Sequence, residues 1–310
     1  MAKNLINKYV WLAETIYKSG PITFEEINEK WLDQDMDDKP IPLRTFHKWR
    51  IAAEEMFNLN IECERRGGYH YYIDNADEIK SGGLRNWLLN TISVSNLLID
   101  SQSLKNRILL EDVPSGQNHL AIILEAMKTN TQLSITYQSY WRDESYTFDI
   151  YPFCVKLFKQ RWYLVAFSPY YDKVMIYALD RIFNIKKLDG ETFNIPEDFE
   201  PEEYFQNFYG IIAGTGGDVE TVKLKVSAGQ ANYFRSLPLH SSQQEIESDD
   251  EYSIFTLRIC PEYDFQQEIL SNGEDVEVLE PQWLREEIAG KINRMWNKYR
   301  KSNETNNQTN

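Results

Sequence analysis

Five polar side chains crowd the start of one amphipathic segment. In "LRTFHKWRIAAEEMF" (43–57), Arg44, Thr45, His47, Lys48 and Arg50 alternate with Leu43, Phe46, Trp49 (or Ile51) and Ala53, which recur at helical spacing. Cationic, hydroxyl and imidazole groups on the outer face of a helix can contact phosphates and base edges in a major groove. A second basic pair, Arg65-Arg66, stands immediately before Gly67-Gly68, a dipeptide suited to the positive φ of a tight hairpin. A third basic group, Lys156, Lys159 and Arg161, leads straight into Trp162-Tyr163-Leu164. That stretch is either only a buried strand or the lining of a site that binds something.

Catalytic constellations are not evident. The four histidines, His47, His70, His119 and His240, do not stand at metal-ligand spacing with one another or with a cysteine. Neither a phosphate loop, a dinucleotide fingerprint, a nucleophile elbow nor a zinc-protease signature occurs, and "GTGG" at 214–217 reads as a hinge. The sequence offers no case for an enzyme, and neither a cofactor nor a metal is expected. Cys63, Cys154 and Cys260 are single, scattered and odd in number, which fits reduced, mostly buried thiols.

Charge is unevenly spread. The net formal charge is −15, but residues 191–290 hold 22 acidic against 5 basic side chains, a local −17, so the rest sums to about +2. Nucleic-acid contact therefore stays open to the first two thirds of the chain. No stretch approaches the roughly 18 apolar residues of a membrane span, and "MAKNLINKYVWLAE" does not read as a signal peptide. A cytoplasmic protein is expected, with no membrane partner.

At 310 residues the chain is expected to form several domains. Residues 4–18 place Leu5, Tyr9, Leu12 and Ile16 on one helical stripe that stops at Ser19-Gly20-Pro21. Thr23 then opens a second helix with Phe24, Ile27 and Trp31, and Glu26 stands in capping-box position. The acidic loop "DQDMDDKPIP" precedes the basic helix, and "NIECERRGGYHYYI" reads as two strands. Three helices followed by a hairpin is the order of a winged helix-turn-helix over 1–76. The third helix would enter a major groove, and Arg65 and Arg66 would sit at the wing tip beside phosphates. A connector follows over 77–116, with Leu84, Trp87, Leu88 and Ile92 at helical spacing.

From 133 to 188 the pattern becomes strands, "LSITYQSY", "SYTFDIYPFCVKLF", "RWYLVAFSP" and "VMIYALDRIFNIKKL", which predicts a small antiparallel sheet or barrel within a domain spanning 117–195. Trp162 and Tyr163 point to opposite faces of their strand, so at most one can face a given pocket, and Trp162 is the one expected to pack in the core. After a linker, 196–217, residues 218–300 read as strand, helix, strand, strand, helix, strand, the ferredoxin-like order, closed by a helix over 282–299. That helix carries Leu284, Ile288, Met295 and Tyr299 on one side, and the polar tail 301–310 is expected to be disordered.

The middle segment resembles a known family. "LSITY" at 133–137, the proline of "IYP" at 150–152, "RWYLVAF" at 161–167 and "YALDRI" at 177–182 are together similar to the WYL-domain family of bacterial transcriptional regulators. The resemblance implies an Sm-like, SH3-type small β-barrel, flanked as in many such regulators by an N-terminal winged helix-turn-helix and a C-terminal ferredoxin-like extension. The fold class so implied is multidomain α+β. It also implies a ligand pocket, to which Tyr137, Trp162, Tyr163 and Arg181 correspond, with Lys156, Lys159 and Arg161 close in sequence. Phe148 and Met175 stand where the family pattern has arginines. Two guanidiniums that could grip phosphate bidentately are thereby replaced by a phenyl ring and a thioether.

The expectation is a ligand-responsive regulator. Its head binds a double-stranded DNA operator, and its WYL domain senses a ligand such as a nucleotide or single-stranded nucleic acid. Operators read by such heads have two half-sites, which predicts a homodimer. The competing expectation is a protein-interaction module of a regulatory or defence system that does not bind DNA, because the acidic loop after the second helix would repel phosphate.

Overall fold

The computed structural model describes residues 2–33, 39–66, 68–76, 91, 116–213 and 217–306. The expected connector helix around Leu84–Ile92, apart from Thr91, together with Gly67 of the expected hairpin turn and most of the "GTGG" hinge, lies outside the described residues. The protein is mixed α+β, with N-terminal helices followed by antiparallel sheets, and it divides into two compact units, residues 1–111 and 112–310. Among the described residues, no helix is long and apolar enough to cross a membrane.

The first unit holds α1 (Ala2–Ser19), α2 (Phe24–Leu32), α3 (Leu43–Phe57) and a hairpin of β1 (Ile61–Glu64) and β2 (His70–Ile73). α1 turns Val10, Leu12, Ala13 and Ile16 into the core with Trp11, while Leu5, expected there, is 41% exposed in the helix's outer end. α2 starts at the expected capping box: Thr23 N donates to Glu26 Oε2 at 2.8 Å, and Glu26 N donates to Thr23 Oγ1 at 3.2 Å. Trp31 packs edge-on to both Trp11 and Trp49, so three helices meet at one indole cluster. Asn28 holds the chain leading into α3, accepting from Ile41 N at 2.6 Å. α3 buries Phe46, Trp49, Ala53 and Phe57. Leu43, expected inside, is 51% exposed because the first turn of α3 overhangs the core and borders a groove.

One contact decides where the hairpin lies. Ile22, between α1 and α2, forms an antiparallel bridge with Tyr71 of β2 through a reciprocal pair of hydrogen bonds, Ile22 N to Tyr71 O at 3.0 Å and Tyr71 N to Ile22 O at 2.7 Å. Phe46 of α3 packs edge-on against the Tyr71 ring, 4.7 Å between centroids. The hairpin is thus fixed beside α3 by both backbone and ring contacts.

The second unit begins with α4 (Leu120–Lys128) and a five-stranded sheet: β3 (Thr131–Tyr137), β4 (Tyr146–Phe158), β5 (Arg161–Ser168), β6 (Lys173–Ala178) and β7 (Ile182–Thr192), in the order β6-β5-β4-β3-β7. All neighbours are antiparallel. β4 pairs with β3 through its first half and with β5 through its second, with a register shift near Pro152. That bend lets one long strand serve two partners. The core face holds Leu133, Ile135, Ile150, Leu164 and Ala166 under Ile123 and Ala126 of α4. The opposite face is aromatic: Tyr151 stacks on Phe167 and Phe193, and Phe153 packs at a tilt on Phe199. Residues 193–213, with α5 (Pro201–Phe205), lay these rings against the sheet.

The remaining elements are β8 (Glu220–Ser227), α6 (Ala228–Ser236), β9 (Gln244–Ser248), β10 (Tyr252–Ile259), α7 (Tyr263–Ser271), β11 (Val276–Glu280) and α8 (Gln282–Asn306). The sheet order is β11-β8-β10-β9, all antiparallel. Alternate residues Val222, Leu224 and Val226 face Phe255, Leu257, Phe234, Phe265 and Leu284, so all three helices cover one side. α8 runs seven residues past its expected end at 299. The segment 301–306, expected to be disordered, contains neither glycine nor proline and continues the helix.

Candidate functional site

The basic residues of the first unit gather on one side of α3 and on the hairpin loop. Arg44 and Lys48 are exposed, one turn apart on the face opposite Phe46, Trp49 and Ala53. Thr45 and His47 are half-exposed. Arg50 is half-buried, its Nε 3.8 Å from Glu54 Oε2, and Glu54 is itself fixed by accepting from Ile61 N at 3.0 Å. Arg65 and Arg66 are exposed in the loop between β1 and β2. His47, Arg50 and Arg65 line one groove of about 660 Å³ with Tyr69 and Tyr71, bordered by Glu25 of α2. The fold therefore brings together three of the seven residues singled out from the sequence. The other four, Arg44, Thr45, Lys48 and Arg66, are not part of its lining. Tyr69 was not anticipated; it is 62% exposed at φ 57, in the left-handed region that a bulky residue rarely adopts.

Of the seven ligand positions expected in the second unit, five separate into two groups, and Trp162 and Tyr163 pack in the sheet. One is built where β3 ends against the single turn Leu179–Arg181. Arg181 lays its guanidinium over the Tyr140 ring at 3.7 Å, and its carbonyl accepts from Gln138 N at 3.2 Å. Tyr137 meets Tyr177 edge-on at 5.2 Å. Burial pushes the Tyr137 hydroxyl above its ordinary value, opposed by the nearby Arg181 guanidinium. Burial likewise pushes the Tyr177 hydroxyl up to about 12. Arg161 joins this group through Asp180, 3.3 Å away.

Asp180 precedes Arg181 in the chain and Asp149 lies on β4, two carboxylates that could pair with a buried arginine. Asp180 pairs instead with Arg161, and Asp149 is exposed on β4. A carboxylate directly preceding Arg181 on a single 3₁₀ turn points away from it, so Arg181 takes an aromatic face.

Phe148 and Met175 converge on the same place. Phe148 packs on Tyr177 at 5.7 Å, and both side chains are half-buried against the core. The positions that carry arginine in the family pattern thus extend the core here and leave Arg181 as the central cation. Several polar atoms in this region are buried without a well-formed hydrogen bond: Ser168 Oγ, Tyr177 OH, Asp180 Oδ1 and Arg181 Nε. Trp162 packs against the core with Leu164 and Ala166, and Tyr163 is buried on the opposite face, as strand alternation requires. Exposed rings on the strand connections include Tyr140, Trp141 and Tyr170, with Trp141 94% exposed. Sequence spacing could not single them out, because loop aromatics carry no periodicity.

Lys156 and Lys159 form the second group, away from Arg181. Lys156 Nζ donates to Gly210 O at 2.7 Å and lies 3.6 Å from the centre of the Phe205 ring. Asp264 of α7 accepts from Ile211 N at 2.8 Å and Ile212 N at 3.1 Å, closing the node from the other side. Burial lowers Lys156 to about 8, against the pull of Asp264. Lys159 Nζ donates to Glu268 Oε2 at 2.6 Å. Lys156 ties the five-stranded sheet to the 193–213 segment, and Lys159 ties it to α7. Arg181, with the Tyr140 ring against its guanidinium, has the charge and the neighbouring aromatic face that an anionic or planar ligand would need.

Residues 118–187 match the sequence model of the WYL domain, and residues 208–296 match that of the WCX domain. Comparison with curated proteins found no match. Among solved structures, the chain is similar to proteasome accessory factor B/C (PafBC) of Arthrobacter aurescens, with 19% identity, 76% of this chain and 39% of that chain covered, and a TM-score of 0.28. It is also similar to a CRISPR Cas-related protein, with 13% identity, 97% and 84% covered, and a TM-score of 0.40. The chain spans about two fifths of the length of the first of these.

Proposed function

We propose, for a chain whose WYL and WCX domains are those of the WYL-domain regulators, that it is a ligand-responsive DNA-binding regulator. Residues 1–76 are read as a winged helix-turn-helix, the five-stranded sheet as an Sm-like small barrel, and residues 218–300 as a ferredoxin-like extension. The observation that carries the DNA reading is the bridge between Ile22 and Tyr71, which fixes a basic hairpin beside α3 while Arg44 and Lys48 face outward. A helix for the major groove and a wing for the flanking phosphates are thereby held in one rigid unit. The protein acts in the cytoplasm and catalyses no reaction in this reading.

Arg181, flanked by Tyr140 and Tyr137, is the proposed sensing point, for a nucleotide or short single-stranded nucleic acid. Stacking on the exposed rings contributes binding without sequence readout, and one guanidinium supplies a single phosphate contact.

The test is fluorescence anisotropy of the full chain with duplex DNA from upstream of its own coding sequence, against a scrambled duplex, at low and moderate salt. Preferential binding that weakens with salt is expected. Absence of binding at low salt would overturn the DNA reading in favour of a protein-interaction module.

A further inference from the structure

The groove of about 660 Å³ in the first unit is walled by the first turn of α2, by α3 and by the hairpin. Clefts of roughly 300–1,000 Å³ take small molecules whole. Its cations are His47 and Arg50, three residues apart on α3, and Arg65 of the hairpin loop. Glu54 stands 3.8 Å from Arg50 Nε, too far for a hydrogen bond, so the Arg50 charge is only loosely matched. The rings of Phe24, Tyr69 and Tyr71 complete the walls, and Glu25 is the one carboxylate among the described lining residues.

Two features point to an occupant. Tyr69 holds φ 57, in the left-handed region, with its ring exposed, so no packing of that ring explains the strained backbone. Strain of this kind gathers at ligand clamps. The lining is also polarised. Burial and the Cys63 thiol push the Tyr71 hydroxyl above its ordinary value, with Arg50 opposing and Glu25 adding to the shift, so these four groups stand within electrostatic reach of one another. Guanidiniums grip a phosphate or carboxylate, whereas a carboxylate only accepts hydrogen bonds. An occupant that satisfies both is anionic at one end, flat in its body and a hydrogen-bond donor at the other end.

We propose that this groove is a small-molecule site in the head, for a nucleoside monophosphate whose base carries an amino group, with the phosphate on Arg50 and Arg65, the base against Tyr69 and Phe24, and the amino group on Glu25. Inorganic phosphate would engage the cations alone. The groove belongs to the first unit and Arg181 to the second, so the two can be tested separately. The site does not rest on the DNA reading. Under that reading its occupant competes with a duplex for His47, Arg50 and Arg65.

Cys63 reports occupancy, because it is half-buried in the groove lining while Cys154 and Cys260 are buried. Iodoacetamide labelling of the full chain, followed by peptide mass spectrometry with AMP as the probe, reads its rate. Saturating AMP is expected to slow Cys63 labelling at least about fivefold, in the wild type and in Arg181→Ala alike, because only unoccupied protein reacts. Tyr69→Gly relaxes the backbone, so it should unfold at a temperature no lower than the wild type and yet lose most of the protection. Glu25→Gln should weaken protection by AMP and strengthen protection by inorganic phosphate, opposite signs that misfolding does not produce. Equal labelling with and without AMP, protection unaltered in both variants, protection that vanishes in Arg181→Ala, or protection by duplex DNA but not by AMP would each overturn the proposal, the last by assigning the groove to the polymer.

Discussion

Arg181 sets its guanidinium carbon over the ring of Tyr140, 3.7 Å from its centre, while the neighbouring Asp180 turns to Arg161. An aromatic ring thus stands against the guanidinium. Its Nε is buried without a hydrogen-bond partner. A ligand phosphate or carboxylate would meet the remaining edge.

If this is the binding point, Arg181→Ala should weaken an oligothymidylate probe at least tenfold, about 1.4 kcal/mol, with folding intact. Tyr140→Phe retains the ring and should bind within about twofold of wild type, whereas Tyr140→Ala should lose several-fold. Anisotropy with a labelled probe reads all three. Equal affinity for wild type and Arg181→Ala would remove Arg181 from the site.

Two glycines mark places where backbone approaches too closely for any side chain. A Cβ on Gly116, at φ +64, would lie 2.5 Å from the Leu179 carbonyl carbon and 2.6 Å from Asp180 N, on the turn that presents Arg181. Backbone strain and overlap act together there, so Gly116→Ala should destabilise the second unit by at least about 2 kcal/mol. A Cβ on Gly210 would sit 2.3 Å from Asp264 Oδ2 and 2.7 Å from the Phe158 ring, displacing the carboxylate from Ile211 N and Ile212 N. Thermal unfolding should show a lowered midpoint for both variants, and midpoints equal to wild type would refute the packing described.

Much of this was legible in residue types and spacing. The capping box at Thr23 and Glu26, the order of the strands from 131 to 192, and the alternation that separates Trp162 from Tyr163 follow from local rules. Sequence proximity failed where tertiary partners decide. Lys156 and Lys159 stand near Arg161 in the chain, yet their strand delivers them to Gly210 and Glu268, because the 193–213 segment folds back over that end of the sheet. The contact of Arg181 with Tyr140 was not legible for a similar reason: Tyr140 belongs to a loop whose path only the fold determines.

Lys156 makes the node at Gly210 sensitive to pH. Its folded-state value of about 8 lies below the ordinary 10.5, chiefly through burial, with Asp264 and Cys154 opposing that shift. Between those two pH values the unfolded chain retains a proton that the folded chain has released, so stability from this residue rises with pH across that window. Neutral lysine still donates to Gly210 O. In urea unfolding followed from about pH 7 to about pH 10, the wild type should gain on Lys156→Met as pH rises. A constant gap between the two would show that Lys156 is not buried as described.

The head offers a test that separates its two basic surfaces. Arg65 and Arg66 lie on the hairpin loop, while Arg44 and Lys48 lie on the outer face of α3. Phosphate contacts set the salt dependence of binding, and base-edge contacts set the preference among sequences. Arg65→Ala with Arg66→Ala should therefore weaken all duplexes alike and reduce the slope of log affinity against log salt by about 2. Arg44→Ala should cost about 1–3 kcal/mol on the preferred duplex and much less on a scrambled one, compressing the ratio between them. Titrations of both duplexes at three salt concentrations measure both quantities. A slope unchanged by the double substitution would detach the wing from phosphate, and an unchanged sequence ratio in Arg44→Ala would mean that α3 only positions the head.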